Sequence, residues 1–192
     1  MLSTSYRQPC IHPPTNRKAT LWSLPIRKPI IITGDSNLAR IPKRKMDDIQ
    51  IDSFPGATLR HLTAVLLRHT SPRPDTKLIL LSIGKNNCLR EQTAITIIKD
   101  TRRLIRTARE KFPQAGIAIP LLTVSIKLSA TQLRCVKAFN DFIRDNIEDV
   151  DSRAGYLNTL STLKFQTAHD NIHWTPETAK SMLDDWLTQL GL

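Results

Sequence analysis

The stretch from Pro29 to Arg40 constrains this chain most, because Ile30, Ile31, Ile32 and Thr33 run directly into Gly34-Asp35-Ser36. Four consecutive β-formers with no polar interruption suit a strand covered on both faces, as in a parallel sheet, rather than one with a wet side. Glycine accepts a sharp change of backbone direction. Asp-Ser-Asn can then start a helix whose free amides point at whatever lies above Ser36. A serine so placed stands at the carboxyl end of a strand, where open α/β sheets build their sites. Alone, Gly-Asp-Ser is equally an ordinary turn and helix cap, so the weight rests on what accompanies it.

The rest of the chain repeats the theme of a short apolar run followed by an amphipathic stretch. Ile49 to Ser53 alternates as a strand does, and Phe54-Pro55-Gly56-Ala57 turns the chain. Thr58 then caps a helix with Leu59, Leu62, Val65, Leu66 and Leu67 on its buried side, ended by Pro72 and Pro74. Leu78 to Ile83, the most apolar short run, is expected as the central strand, closing on Gly84-Lys85-Asn86-Asn87. Residues 91–111 carry Ala94, Ile97, Ile98, Leu104, Ile105 and Ala108 at helical spacing, with arginines interleaved on other faces. Ile117 to Val124 reads as a fourth strand, bent or ended near Pro120. A second amphipathic helix over 130–147 runs through Leu133, Val136, Phe139, Phe142 and Ile143, and a short strand follows near Tyr156-Leu157. Thr175-Pro176-Glu177, a cap then proline then an acid, starts a closing helix through Met182, Leu183, Trp186, Leu187 and Leu190. Strands alternating with helices imply a three-layer α/β/α domain over residues 29–192, built on a roughly five-stranded parallel sheet in the flavodoxin-like manner. Residues 1–28, with prolines at 9, 13, 14 and 25 and no periodicity, read as a flexible basic arm whose Leu21, Trp22 and Leu24 can dock on the domain.

A length of 192 residues and 40% hydrophobic content suit one globular domain with a real core. The net charge of +11 is uneven: residues 1–46 hold nine Lys/Arg against one acid, and residues 47–192 hold nineteen against sixteen. Such a front-loaded charge points to an anionic partner, nucleic acid or an anionic membrane, reached through the basic N-terminal region and the Lys43-Arg44-Lys45 cluster. No aromatic-and-basic module of known readout geometry accompanies it. Three cysteines, Cys10, Cys88 and Cys135, are odd in number and lack Cys-x-x-Cys spacing, which fits a reducing compartment and no zinc ribbon. With neither a signal-peptide core nor a membrane-spanning run, the expectation is an intracellular, cytoplasmic protein.

Four blocks stand at strand ends or before a helix: Gly34-Asp35-Ser36, Pro55-Gly56, Gly84-Lys85-Asn86-Asn87 and Asp170-Asn171-Ile172-His173. Acyl transfer needs such a set. A serine hydroxyl attacks only when an imidazole takes its proton, and the imidazole works best when a carboxylate fixes its tautomer. Asp170 and His173, three positions apart, can meet locally. The backbone amides of Ser36 and Gly56 and the side-chain amide of Asn86 are candidate oxyanion donors, while Asp35, Asn37, Lys85, Asn87 and Trp174 are candidates to line the site. His169 is the nearest rival base, but only His173 has an aspartate three residues before it and a helix start immediately after. His12, His61 and His69 lack a partner pattern and read as surface residues. Cys88 has no base nearby and reads as a buried spectator thiol. No metal-ligand spacing is present, and none of this chemistry calls for a cofactor.

This constellation resembles the SGNH, or GDSL-type, hydrolase family, whose four named residues fall here on Ser36, Gly56, Asn86 and His173 in order, followed by the family's Asp-x-x-His block as Asp170 to His173. The likeness covers about residues 29–190. The texture of Gly-Asp-Ser-Asn-Leu, Ser-Phe-Pro-Gly-Ala and Ile-His-Trp-Thr is most similar to the esterase-like domains of vertebrate, especially fish, retrotransposon proteins. The resemblance implies a serine ester hydrolase with a Ser36-His173-Asp170 triad, a small acyl-ester or lipid substrate and no cofactor. Two departures stand out: the family's Gly-x-Asn-acid block ends here in Asn87, and Lys85 adds a cation. The Gly-x-Ser-x-Gly elbow of the α/β-hydrolases proper is absent. A second reading stays open, a catalytically degenerate module of the same fold that binds nucleic acid or an anionic membrane, as does a third in which both activities coexist and hydrolysis is directed to lipid. Acyl preference and oligomeric state are not encoded in any motif.

Overall fold

The computed structural model describes residues 8–68, 73–123, 127–161 and 164–192. Six strands, β1 (Cys10–Ile11), β2 (Ile30–Gly34), β3 (Ile49–Ser53), β4 (Leu78–Ser82), β5 (Gly116–Pro120) and β6 (Ala154–Leu157), pair in parallel as one sheet in the order β1-β3-β2-β4-β5-β6. Helices α1 (Lys18–Leu21), α2 (Leu59–Arg68), α3 (Lys85–Leu89), α4 (Ala94–Lys111), α5 (Ala130–Val150) and α6 (Pro176–Leu190) connect and cover it. A 3₁₀ turn, Ser36–Arg40, leaves the end of β2.

The pleat of the central strands sorts their apolar residues between two layers. Ile31, Ile79, Leu81, Ile117 and Ile119 pack with the faces of α2, α4 and α5, through Leu62, Leu66, Leu104, Ile105, Phe139 and Ile143. Ile30, Ile32, Leu80 and Ala118 pack on the other side with Leu38 and with Met182, Leu183 and Trp186 of α6. Both faces are thereby dry, which is why Ile30 to Thr33 needs no polar alternation. Gly34 closes β2 for a reason of space rather than of torsion. A Cβ there would stand 1.9 Å from the Ser82 carbonyl oxygen, so only glycine lets the ends of β2 and β4 approach.

The structure differs from the sequence reading at the front of the chain. From residue 8 onward the segment expected as a flexible arm is packed: β1 adds a sixth strand beside β3, and the Gln8 side chain accepts from Ile51 N at 3.0 Å. Of the three residues expected to dock, Trp22 and Leu24 do, at 3% and 0% exposure and each worth about 1.5–3 kcal/mol of burial, whereas Leu21 stays in water. Residues 1–7 lie outside the described residues. Leu67 and Leu133, expected on buried faces, are exposed because each sits at the edge of its helix's apolar stripe. The fourth strand ends at Pro120, which has no N–H to continue a ladder. Val124, Pro72 and His69 lie outside the described residues.

Candidate active site

Gly34 pairs in register with Ser53 on β3 and Ser82 on β4, so three strand ends finish at one level. Ser36, Gly56 and Asn86 leave that rim on the three loops that follow, with the β2 loop in the middle. The turn at Ser36 is held from below. Asp35 N donates to Ser82 O at 3.2 Å, the Ser53 hydroxyl donates to Asp35 O at 2.9 Å, and the Asp35 carboxylate accepts from Asn37 N at 2.9 Å as the cap of the 3₁₀ turn. Burial raises the Asp35 carboxyl above its ordinary value, against the Asn37 amide and the nearby charges of Lys85 and His173.

Gly56 sits at the third position of the Phe54–Ala57 turn, closed by Ala57 N donating to Phe54 O at 3.1 Å, with φ of +68° behind Pro55. Proline second and a left-handed glycine third is the type II signature, so the turn itself requires this glycine. Among the described residues, neither Ser36 N–H nor Gly56 N–H donates to a protein acceptor. Asn86, in α3, gives its Nδ2 to Ala57 O at 2.8 Å, tying the end of β4 to the turn that carries Gly56.

The fourth block lies in a tight loop between an isolated bridge, Thr167 to Trp174, and the start of α6. Ala168 N donates to His173 O at 2.7 Å, and Asn171 takes a left-handed φ of +58°. Asp170 Oδ1 accepts from Ile172 N and His173 N, both at 2.9 Å, while its Oδ2 meets His173 Nδ1 at 2.5 Å. The His173 ring, then its backbone amide and that of Ile172, hold the Asp170 carboxyl far below the usual carboxylate range. Nε2 of the same ring lies 2.9 Å from Ser36 Oγ, across 137 residues of sequence. With Nδ1–H directed at Asp170, Nε2 is the free lone pair facing the hydroxyl. The structure thus brings Ser36, His173 and Asp170 into one line.

The remaining candidates separate. Asn37 is buried and its Oδ1 accepts from Trp174 N at 3.0 Å, a tether between the serine turn and the histidine loop that the sequence does not advertise. Lys85 Nζ donates to Ile172 O, and burial lowers its ammonium despite Asp35 and Asp170 nearby. Asp35, Asn37, Lys85 and Trp174 share a recess of about 20 Å³ beneath the serine turn. Asn87 does not line it: fully buried, it accepts from Leu59 N at 3.0 Å and donates to Gln92 Oε1 at 2.8 Å. His169 is exposed.

Two histidines expected at the surface have partners. His61 Nδ1 meets Thr58 at the start of α2. His12 stacks on Phe54 at 4.0 Å and its Nε2 contacts Asp52 Oδ1 at 2.9 Å. The sulfur of Cys10, a ring nitrogen of His12 and a carboxylate oxygen of Asp52 fall within 4.8 Å of one another, the geometry of a small metal site. Arg27 already bridges both Asp52 oxygens at 3.0 and 3.1 Å, and Gln50 donates to Oδ2 at 2.7 Å. A divalent ion would have to share that carboxylate with a guanidinium, so the donor set does not fit one. Cys88 is buried, and burial raises its thiol well above the ordinary value.

No protein-family model matches the sequence, and no curated protein matches it. Solved structures do. A member of the lipolytic protein G-D-S-L family from Veillonella parvula aligns with a TM-score of 0.64 at 16% identity, over 83% of this chain and 96% of that one. The psychrotrophic esterase EstA from Pseudoalteromonas aligns at 0.58 and 18% identity, over 85% and 98%. The OSK domain of Drosophila Oskar aligns at 0.61 and 15% identity, over 84% and 88%. At these identities the likeness speaks for architecture, and with the all-parallel sheet between two helical layers it gives the conclusion that this chain has the SGNH (GDSL-type) hydrolase fold.

Proposed function

We propose that the protein is a serine ester hydrolase. The observation that carries this reading is the 2.9 Å approach of Ser36 Oγ to His173 Nε2, with Nδ1 of the same ring held by Asp170. Ser36 attacks the ester carbonyl carbon, forming the Oγ–C bond as His173 Nε2 takes the hydroxyl proton. The carbonyl oxygen becomes an oxyanion, met by the unengaged amides of Ser36 and Gly56 and by Asn86. One such donor is worth about 3–4 kcal/mol of barrier. Collapse breaks the bond to the alcohol oxygen, which leaves with the proton from His173. Water then repeats the sequence on the acyl-enzyme, and the acid product leaves. Asp170, kept anionic by three hydrogen bonds, stabilises the imidazolium that forms twice per cycle. None of these steps asks for a metal or cofactor, and the substrate class is a small acyl ester or lipid.

The test is covalent labelling with a fluorophosphonate, followed by mapping of the modified peptide. Labelling at Ser36, lost together with short-chain aryl ester turnover in Ser36→Ala while the far-UV circular dichroism is unchanged, is expected. Undiminished turnover in Ser36→Ala, or labelling at another serine, overturns the proposal.

A further inference from the structure

A recess far larger than the one beneath Ser36 lies elsewhere on the molecule. It is a trough of about 950 Å³ along α2 and α4, on the outer side of one helical layer. Five cations line it: Arg60 from α2, and Lys99, Arg102, Arg103 and Arg106 from α4. The four on α4 stand at i, i+3, i+4 and i+7, one face of a helix, so they form a row about 10 Å long at 1.5 Å per residue. All five are exposed. Among the described residues only Arg60 of these five has a carboxylate partner, Asp100 at 2.9 Å, and Glu110, also in the lining, is within ion-pair distance of none of them. Arg102 lies over the Phe142 ring at 5.3 Å. Leu67 and Ile95, 45% and 82% exposed, add apolar surface beside the cations, and a smaller recess of about 110 Å³ continues between Arg60 and Arg103.

The N-terminal cations that the sequence reading favoured are differently employed. Lys18 donates to Gly56 O, Arg27 to Asp52, Arg44 to Asp184, and Lys45 pairs with Asp47. Among the described residues, cations without a carboxylate partner occur elsewhere too, Lys28, Arg40 and Lys43 included, but the four on α4 share one helix face and one recess. Five cations against the two acids of the same lining, Asp100 and Glu110, leave an excess of positive charge that costs stability through self-repulsion, and a polyanion removes that cost.

We propose that the trough between α2 and α4 binds the phosphate backbone of single-stranded nucleic acid. Its linear row of cations suits a chain that carries one charge per unit, and a concavity between two neighbouring helices admits a single strand more readily than a duplex. Leu67 and Ile95 offer apolar contact to sugars and bases. The trough's own lining holds no aromatic platform, so recognition is through the backbone and independent of sequence. A membrane surface is disfavoured by shape, since interfacial helices present a protruding apolar face rather than a trough with charged walls.

The test is fluorescence anisotropy with a fluorescein-labelled oligouridylate over a salt series. For a single strand each phosphate contact contributes about 0.7 to the slope of log K against log salt. Replacing two contacts with Arg103→Gln and Arg106→Gln should make the slope shallower by about 1.4 and weaken binding roughly 25-fold at 0.1 M salt. Arg103→Lys with Arg106→Lys should retain most of the affinity, and Lys43→Gln with Lys45→Gln should change it little. Both arginine positions are exposed, so circular dichroism and the thermal midpoint should match the parent chain. Wild-type affinity and slope in the glutamine pair, or an equal loss in the Lys43/Lys45 pair, overturns the proposal. So does tighter binding to duplex DNA, or glutamine-pair sensitivity seen with phosphatidylserine vesicles and not with the oligonucleotide.

Discussion

Asn37 is the side chain through which fold and candidate chemistry are joined, and Asn37→Ala exposes that link. Its Oδ1 accepts from Trp174 N at 3.0 Å, and Trp174 follows His173 directly. Both residues are buried, at 3% and 8% exposure, so the substitution leaves an N–H with neither protein nor bulk solvent to accept it. Such an orphan costs about 1–3 kcal/mol, and a cost of about 2 kcal/mol lowers the midpoint of a chain this size by roughly 4–8 °C. The Asp170 hydrogen bonds are local to the loop and survive, so the histidine keeps its tautomer. What it loses is its distance from Ser36 Oγ. A displacement of about an ångström is worth up to roughly 100-fold, so kcat for an aryl ester should fall about 10- to 100-fold while KM moves less than about threefold. Calorimetry and steady-state kinetics on one preparation measure both. A lowered midpoint with wild-type kcat would refute the claim that this tether sets the serine–histidine distance, and an unchanged midpoint would refute the hydrogen-bond accounting itself.

Two further outcomes follow from the serine turn. Gly34→Ala puts a methyl 1.9 Å from the backbone oxygen of Ser82, which no side-chain rotation relieves; the β2–β4 ends must part, at a cost above about 4 kcal/mol, and a midpoint within a few degrees of wild type would contradict it. Asp35→Asn tests the raised carboxyl: burial makes the folded chain hold a proton that the unfolded chain releases near pH 4, so wild-type stability falls as pH rises through that window. The amide cannot titrate and keeps an acceptor for Asn37 N. Urea midpoints of the two proteins should therefore converge at acid pH and separate in favour of Asn toward pH 7, whereas a pH-independent difference would contradict the burial argument.

What could be read from the sequence was whatever is local. Ile30 to Thr33 and Leu78 to Leu81 announce themselves because a strand dry on both faces must be apolar at every position, and α6 because Thr175 and Pro176 mark its start within two residues. Asp170 and His173 are three residues apart, so their contact is nearly a property of the loop. At the front of the chain the docking of Trp22 and Leu24 was legible from their apolar side chains, but strand β1 was not, because it is two residues long and sits in a proline-rich segment where no periodicity can form. Nor were Asn37 with Trp174, or His12 with Asp52, since each is a single contact across 137 or 40 residues and leaves no pattern in either neighbourhood. The arginines of α4 were visible as residues but not as a site, because only the packing of α2 beside α4 makes a trough of their surface.

Asn87 shows how the departure from the family's block can be absorbed. The resemblance implies an acid there, yet the position is fully buried, where a carboxylate would need strong compensation. The amide accepts from Leu59 N, one of the first free amides of α2, and donates to Gln92 Oε1, a pairing that an ionised carboxylate cannot make. Its neighbour Asn86 donates to Ala57 O, two residues earlier. Adjacent amides therefore grip the chain at Ala57, the last residue of the turn that carries Gly56, and at Leu59 just beyond it. On that geometry the block after β4 holds the turn that carries Gly56, and the neutral side chain at 87 makes both of its hydrogen bonds there without a buried charge.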